Sequence, residues 1–453
     1  MFVESKMFPR HSRESSLKKC AYMESMPSEI ILKIFSFLDP VSLLCIGCVN
    51  KRFYHLANDN MIWFRAYTAF FSPKISKWKT NPDEKISVQD KDIGYWKKDY
   101  IMKRIEAGKR MAIQFVKPIN CYTGLPFKTK EAIKVSGLKW VIVLKDRNGK
   151  EHIMEQTETF LNDSSITVVW YGQTWPPIGF LSAIDLCGVT PVFLDRCMVQ
   201  TRNGPRRRSL IAEYCLSNLS RSKMIGSDRL IQLFHLAPGL LVGLWKQGKE
   251  MAFVMANLHC HHLLERSILG SGLVPYAAPP HNPFLDDLDP QYGLRGYQLH
   301  IDLHSGKDKY LCGTFHNLCS RKDYIQNGYL KLVIINFKKN AQHLPINKNI
   351  GIFWKTDIFE GNVQNCCVMD VTLLDEIEKP FWCFSSPFTI YPVSQPSDHL
   401  NNGVKNFTGS YVDPEGRVQL KLIWMDMTEE FYIVNLVLYI SIKKVNWWFG
   451  TNY

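Results

Sequence analysis

Residues 25–63 read SMPSEIILKIFSFLDPVSLLCIGCVNKRFYHLANDNMIW, and this stretch decides the fold of the N-terminal part of the chain. Pro27 suits a first helical position, because a residue there has no intrahelical partner for its backbone N–H. Ile30, Ile34 and Leu38 recur at a spacing of four residues, with further apolar residues beside them. This pattern predicts a helix of about three turns with one wide apolar face.

Two further helices are predicted in the same stretch. Asp39 and Pro40 end the first helix and begin the second, with the aspartate as N-cap and the proline at the first helical position. Asn50 is suited to cap a third helix. Three short helices cannot bury this many large apolar groups among themselves, so the surplus apolar surface needs a partner or a second domain.

The order of these features resembles the F-box family from end to end. The matching elements are Met-Pro, Glu-Ile, Ile-Phe, Leu-Asp-Pro, Leu-Leu, Val-Asn-Lys-Arg-Phe, Leu-Ala and a closing Trp, in about forty residues without a gap. Two positions depart from the usual pattern, with Met26 in place of Leu and Phe53 in place of Trp. Both keep an apolar side chain of similar bulk, so little loss of function is expected.

The resemblance implies binding to the Skp-type adaptor, which links F-box proteins to a cullin scaffold and its RING subunit in a ubiquitin ligase. An alternative is that the helices only form a cap on the larger domain. Carried over by position, the implied surface contacts with the adaptor are Met26, Pro27, Ile30, Leu38, Pro40, Leu43, Leu44, Val49 and Trp63.

A mixed-charge segment and a further helix follow the F-box-like stretch. The helix is predicted over residues 92–110 with Ile93 and Tyr100 among its inward residues, and it belongs either to a rigid spacer or to the core of the next domain. The predicted organisation is a disordered tail over residues 1–24, the F-box over 25–71, a linker and spacer helix over 72–110, and a β-rich substrate-recognition domain over 111–453.

From residue 111 the pattern changes to short alternating apolar runs separated by hairpin signals. Asp146-Arg-Asn-Gly149 and Asp413-Pro-Glu-Gly416 are two such turns, and one clear helix is predicted over residues 258–269. A sheet of many strands needs closure or a second layer. The sequence therefore predicts an α+β chain whose larger part is a mainly antiparallel β sandwich or barrel.

One strand carries a candidate metal-binding pattern, His300-Ile-Asp302-Leu-His304. On a strand the two histidines and the aspartate share one face, and they are similar in type to the ligands of non-haem iron oxygenases. Alternating polar and apolar residues are also typical of any half-exposed strand. We therefore predict no metal and no cofactor, and His300, Asp302 and His304 remain the residues that a metal would use.

Composition limits the other classes of function. Residues 1–110 carry +8 of the net charge of +13, which leaves only +5 for the other 343 residues, so no nucleic acid partner is predicted. The apolar runs are too short or too interrupted for a membrane span, and the N-terminus lacks the apolar core of a signal peptide. An odd number of cysteines, thirteen, favours a reducing compartment, cytoplasmic or nuclear.

The function predicted from the sequence is that of a non-catalytic substrate receptor for an unknown protein target. No nucleotide-binding loop or nucleophile elbow is present, and the absence of repeats favours the F-box-only class. Two alternatives remain open: the β-rich domain is a metal-dependent enzyme, or it is a receptor for a modified ligand such as a glycan or phosphopeptide. The long loop over residues 284–294 is a candidate recognition segment.

Overall fold

A computed structural model describes residues 23, 25–71, 91–172, 174–193, 205–216, 224–248, 250–283, 294–346, 350–393 and 404–450. The predicted tail, except for residue 23, most of the predicted linker and all but the last residue of the candidate loop at 284–294 lie outside the described residues. The chain separates into two compact units. The helical unit comprises residues 1–108 and 192–205, and the sheet unit comprises 109–191 and 206–453. No helix in the described part of the chain is long and apolar enough to cross a membrane.

Four short helices and the first part of a longer one form the helical unit, and some of the short helices begin with side-chain caps. Asp39 accepts hydrogen bonds from the backbone N–H groups of Val41 and Ser42, and Asn50 accepts one from Phe53, which confirms both predicted caps. A fourth helix follows the three that were predicted. The helices are α1 (Ser28–Phe35), α2 (Pro40–Ile46), α3 (Lys51–Ala57), α4 (Asn60–Phe71) and α5 (Tyr95–Val116).

The wide apolar face predicted for α1, which also included Ile31 and Phe35, divides between the core and the surface. Ile31 and Phe35 are fully buried, whereas Ile30 and Ile34 are exposed. Because apolar residues occupy adjacent positions on this helix, their spacing did not decide which row faces inward. The inward prediction for Ile93 is also wrong: this side chain is 77% exposed, since helix α5 begins only at residue 95.

Antiparallel strands make up most of the sheet unit, together with α6 (Thr129–Ser136), α7 (Leu263–Ile268) and α8 (Ile442–Phe449). The strands are β1 (Lys139–Asp146), β2 (Glu151–Glu155), β3 (Glu158–Leu161), β4 (Ser165–Trp170), β5 (Leu181–Pro191), β6 (Arg206–Cys215), β7 (Met224–Ser227), β8 (Ile231–Leu236), β9 (Leu240–Trp245), β10 (Met251–His259), β11 (Leu294–His304), β12 (Lys309–Ser320), β13 (Ile325–Gln326), β14 (Tyr329–Ile335), β15 (Leu344–Ile346), β16 (Gly351–Lys355), β17 (Glu360–Gln364), β18 (Cys366–Leu374), β19 (Pro380–Pro392), β20 (Val404–Val412), β21 (Gly416–Met425) and β22 (Glu430–Ser441).

These strands form three larger sheets and one hairpin. The four-stranded sheet has the order β2-β1-β5-β6, and the six-stranded sheet has the order β3-β4-β10-β9-β8-β7. The ten-stranded sheet runs β12-β11-β18-β19-β20-β21-β22-β14-β13, with β15 also paired to β22. Strands β16 and β17 pair with each other. The predicted α+β fold with a large antiparallel sheet domain is confirmed, and its sheets do not close into a barrel.

The four-stranded and six-stranded sheets share a core with α6 and α7. Trp140 of β1 lies in this core, and its indole N–H donates to the Ser267 hydroxyl of α7 at 3.2 Å. Gly188 of β5 permits the close approach of α7, because a β-carbon at this position would lie 2.2 Å from the backbone oxygen of Ser267. The apolar contacts and this backbone approach together fix α7 against the four-stranded sheet.

The predicted helix over residues 258–269 is shorter than expected. Leu258 belongs to β10, where it pairs with Ile166 of β4, and the helix begins at Leu263. His262, directly before the helix, has a φ of 51°, in the left-handed region. The first two residues of the predicted helix, Leu258 and His259, therefore belong to a paired strand, and the chain turns at His262 before α7 begins.

Candidate functional site

A row of exposed apolar side chains runs along α1 and the residue after its C-cap. Ile30, Ile34 and Phe37 follow one another at intervals of four and three residues, which places them on one side of the helix. Ile30 is 51% exposed and Phe37 is 76% exposed, and Pro27 at the start of the helix is exposed as well. We call Pro27, Ile30, Ile34 and Phe37 the α1 surface. A row of this kind on a small unit is typical of an interaction site.

The predicted adaptor contacts divide into three groups by their exposure. Leu43 and Trp63 are buried in the core of the helical unit. Their prediction as surface contacts is wrong in this structure, because the Trp63 indole N–H donates to the Ala57 carbonyl at 2.7 Å and its ring is enclosed. The other seven lie at the surface, exposed at Pro27, Ile30 and Val49 and partly exposed at Met26, Leu38, Pro40 and Leu44.

One arginine holds the start of α1 in place. The Arg52 guanidinium donates to the Met26 carbonyl at 2.6 Å and lies 3.3 Å from the Ser28 hydroxyl. These contacts join the N-terminus of α1 to α3, and so they position one end of the α1 surface. The sequence did not indicate this role, nor did it separate Ile34 and Phe37 from the core.

The candidate metal residues of β11 are buried, not half-exposed. His300, Asp302 and His304 are all at most 5% exposed, although they alternate with the apolar core residues Ile301 and Leu303. Ser164 donates to Asp302 at 2.5 Å, from the residue directly before β4. The six-stranded sheet therefore covers the face of β11 that the alternation had suggested to be open.

His304 does not join the other two candidate ligands. Its Nδ1 accepts a hydrogen bond from the backbone N–H of Gly306 at 2.9 Å. Its Nε2 lies 2.9 Å from Asp370 Oδ2 and 3.2 Å from the Ser165 hydroxyl. Because both ring nitrogens have partners, this histidine is a structural link between β11, β18 and β4. The three candidate residues His300, Asp302 and His304 therefore do not gather around one point.

His300 and Asp302 instead lie beside Cys312, which the sequence analysis missed. Cys312 is the cross-strand partner of Asp302 on β12, and the three potential ligand atoms all lie within 4.8 Å of one another. Burial disfavours ionisation of Asp302, but interactions with His300 and Ser164 outweigh burial and hold its pKa below the ordinary value. Burial raises the pKa of the Cys312 thiol to about 12, and Asp302 adds to this effect.

A polar layer connects the six-stranded and ten-stranded sheets. It contains the bond from Ser164 to Asp302 and the contact between Ser165 and His304. A third link joins His259 Nε2 of β10 to the Thr372 hydroxyl of β18 at 3.0 Å. Since the backbone N–H of His261 donates to His259 Nδ1, a neutral His259 carries its proton on Nε2 and donates it to the threonine.

The sheet unit also contains a cleft of about 900 Å³. Among the described residues, His235 Nε2 and the Ser385 hydroxyl have no hydrogen-bond partner although they are buried. Burial lowers the pKa of His235 to about 4. These neutral polar groups can bind a polar part of a ligand. The lining includes the β8–β9 turn together with Tyr214, His235, His259, Arg266, Ser385 and Tyr411.

Several known proteins that carry the same name are similar to this chain over almost its whole length. Its residues 23–69 match the F-box-like family. The chain is 56% identical over 448 residues to F-box only protein 15 of Homo sapiens, covering 97% of this chain and 88% of that protein. It is 58% and 46% identical over 435 residues to F-box only protein 15 of Macaca fascicularis and of Mus musculus, in each case covering 94% of this chain and 100% of the relative.

We expect His259 to make folding stability depend on pH. Burial is the largest effect and lowers the pKa of His259 to about 4. Asp370 and Asp302 raise this pKa by a smaller amount, and Arg266 and His300 lower it further. In the unfolded chain the imidazole takes up a proton below about pH 6.5. The contribution of His259 to folding stability is therefore fully present above about pH 6.5 and is lost as the pH falls towards 4. At pH 5 the free energy of unfolding is lower by about 2 kcal/mol because of this group.

The measurement is urea unfolding of the full chain at pH 7.5 and pH 5. His259→Gln keeps a polar group beside Thr372 but cannot titrate, so the loss of stability between the two pH values should shrink by about 2 kcal/mol. His316→Gln, at an exposed histidine of β12, is the matched control and should leave the loss unchanged. An equal loss in the His259→Gln variant and the wild type would contradict the assignment.

Proposed function

The chain belongs to the F-box only protein 15 family, and from this premise we propose that it is the substrate-recognition subunit of a Skp–cullin–F-box ubiquitin ligase. The observation that carries the proposal is the exposed α1 surface, which lies within the residues that match the F-box-like family. Large apolar side chains on a unit this small are stabilised by binding a partner that covers them. The partner proposed here is the Skp-type adaptor.

In this proposal the chain acts by proximity and performs no chemistry itself. The adaptor connects the helical unit to the cullin scaffold and the RING subunit. The sheet unit holds a target protein, so that a target lysine and the charged conjugating enzyme are kept near each other. Holding two reactants together converts an encounter between free molecules into a reaction within one assembly, which accelerates transfer.

The cleft of the sheet unit is the proposed site for the target. Its unpartnered polar atoms at His235 and Ser385 support recognition of a polar group within an otherwise mixed surface. Recognition of a glycan or a phosphate on the target is a narrower form of the same role, because these groups also offer hydrogen-bond acceptors. Tyr411 and Val412 of β20 form part of the rim where a larger protein could make contact.

We propose the cytoplasm or the nucleus as the compartment in which the chain works. No disulfide bond joins cysteines within the described ranges, which supports a reducing environment.

The adaptor contact can be tested with Ile30→Asp. The change places a charge in the exposed α1 surface, and an acidic residue in the first helical turn complements the helix dipole, so the helical unit should remain folded. Binding of the Skp-type adaptor should weaken by at least about 2 kcal/mol, as expected for a central apolar contact. The measurement is titration calorimetry with purified adaptor and full-length chain.

Ile93→Asp is the matched control, because Ile93 is an exposed isoleucine of the same unit outside the proposed contact. Its affinity for the adaptor should equal that of the wild type. If wild type binds no adaptor, or if Ile30→Asp binds as tightly as Ile93→Asp, the proposed docking surface is wrong.

The target site can be tested with Val412→Lys. Val412 lines the cleft and is 56% exposed, so a lysine there alters the rim without disturbing the core. Proteins whose ubiquitination increases when the wild-type chain is expressed should lose that increase, as measured by ubiquitin-remnant proteomics. Val333→Lys, at an exposed valine of β14 in the same ten-stranded sheet, should preserve it. An unchanged ubiquitination profile for Val412→Lys would exclude the cleft as the recognition site.

A further inference from the structure

The side-chain cluster at His300, Asp302 and Cys312 has no role in the proposed ligase function. It lies where β12, an outer strand of the ten-stranded sheet, meets the loop between β3 and β4. Within the described part of the chain, His300 Nε2 and Asp302 Oδ1 are buried without a hydrogen-bond partner. Buried polar atoms normally have partners, because removing them from water is otherwise unfavourable. Two such atoms in one cluster indicate a ligand that satisfies both.

The orientation of the His300 ring also indicates a bound ligand. Its Nδ1 lies 2.8 Å from the Thr314 hydroxyl, while Nε2 faces Asp302 Oδ2 at 3.4 Å, as an ion pair when the imidazole is protonated. When Nδ1 donates its proton to the threonine, Nε2 presents a lone pair towards a carboxylate. A cation placed among these atoms takes the position of the proton between His300 Nε2 and the Asp302 carboxylate and forms a coordination bond with each.

We propose that His300 Nε2, the Asp302 carboxylate and Cys312 Sγ bind a zinc ion, with Asp163 as the fourth ligand. Nitrogen, oxygen and thiolate donors together suit zinc, whereas magnesium and calcium take oxygen ligands. Asp163 Oδ2 lies 3.6 Å from Cys312 Sγ, and the Asp163 carboxylate contacts Lys309 at the surface. The pair of carboxylates and the thiolate supply the negative charge that the cation requires.

Two of the donor separations already match a tetrahedral centre, and Asp163 reaches the group of three core ligand atoms through Cys312. Zinc bonds of about 2.0–2.3 Å place neighbouring donor atoms about 3.3–3.8 Å apart. The separations of 3.4 Å between His300 and Asp302, and of 3.6 Å between Cys312 and Asp163, lie within this range. The remaining separations among the three core ligand atoms are at most 4.8 Å, so they need to shorten by no more than about 1 Å.

Contacts behind the ligands resemble those of established metal sites in kind. Thr314 holds the His300 ring, and the Ser164 hydroxyl donates to Asp302 at 2.5 Å. Such outer contacts orient the ligands and fix the histidine tautomer. On binding, the Cys312 thiol releases its proton to the solvent and the thiolate sulfur bonds to the metal. With four protein ligands the ion has no open position, so its role is structural: it fastens β12 to the loop before β4.

The test uses the full-length chain with its purification tag removed, dialysed against buffered zinc and analysed by elemental mass spectrometry. The wild type should retain about one zinc per chain, and cobalt in its place should give the near-ultraviolet absorption of a thiolate–cobalt bond. Cys312→Ser should abolish this absorption and weaken zinc binding by about tenfold or more. Cys319→Ser changes another exposed cysteine of the same strand and should retain both properties.

A second variant tests the orienting contact without removing a ligand. Thr314→Val leaves His300 without its partner and should weaken zinc binding by about 10–100-fold while the cobalt absorption persists at high metal concentration. Zinc should also raise the unfolding temperature of the wild type and not of Cys312→Ser. The proposal is overturned if folded wild-type protein retains no zinc, or if Cys312→Ser retains as much as Cys319→Ser. These readouts do not involve the adaptor, so they are independent of the ligase proposal.

Discussion

The helical unit contains more large apolar side chains than its short helices can enclose, and this constraint determines how the chain can work. Trp63, Phe35 and Ile31 fill the core, and once they do, the neighbouring row on α1 has no interior position left. Ile30, Ile34 and Phe37 consequently remain at the surface. Exposed apolar area of this kind lowers the stability and solubility of a free chain, and a partner that covers it removes that disadvantage.

The sheet unit meets a different constraint, because its six-stranded and ten-stranded sheets pack through polar groups as well as apolar ones. Each polar group must find a partner inside the interface, and the pairs Ser164–Asp302 and His259–Thr372 do so across the two sheets. Such pairs are directional, so they restrict the register in which the sheets meet. At Cys312 the layer reaches an outer strand, and there the protein groups alone leave polar atoms without partners.

The sequence predicted the features that depend on local chemistry. Caps at Asp39 and Asn50 and the turn at Asp413 follow from the hydrogen bonds that these side chains make with nearby backbone, and all three were found. It failed where two apolar rows compete for one core, as on α1, and where both faces of a strand are covered, as on β11. The spacing of apolar residues on a helix or a strand does not indicate which other elements pack against that helix or strand.

Long-range pairing explains the remaining misses in the candidate sites. A hairpin between β11 and β12 could be expected from the sequence, but the register shifts between Leu303 and His304, and only this shift brings Cys312 opposite Asp302. Asp370, the partner of His304, lies on β18, which is far away in sequence. A single sequence contains no signal for that contact. The cleft likewise forms from strands that are distant along the chain.

The most direct test of the central claim is hydrogen–deuterium exchange of the full-length chain with and without the purified Skp-type adaptor. The adaptor is expected to slow exchange in residues 28–37, which include most of the α1 surface, while the strands that line the cleft exchange as before. Slower exchange in residues 28–37 would place the adaptor on the α1 surface. A complex that forms with no change in residues 28–37, or the absence of any complex, would contradict the account.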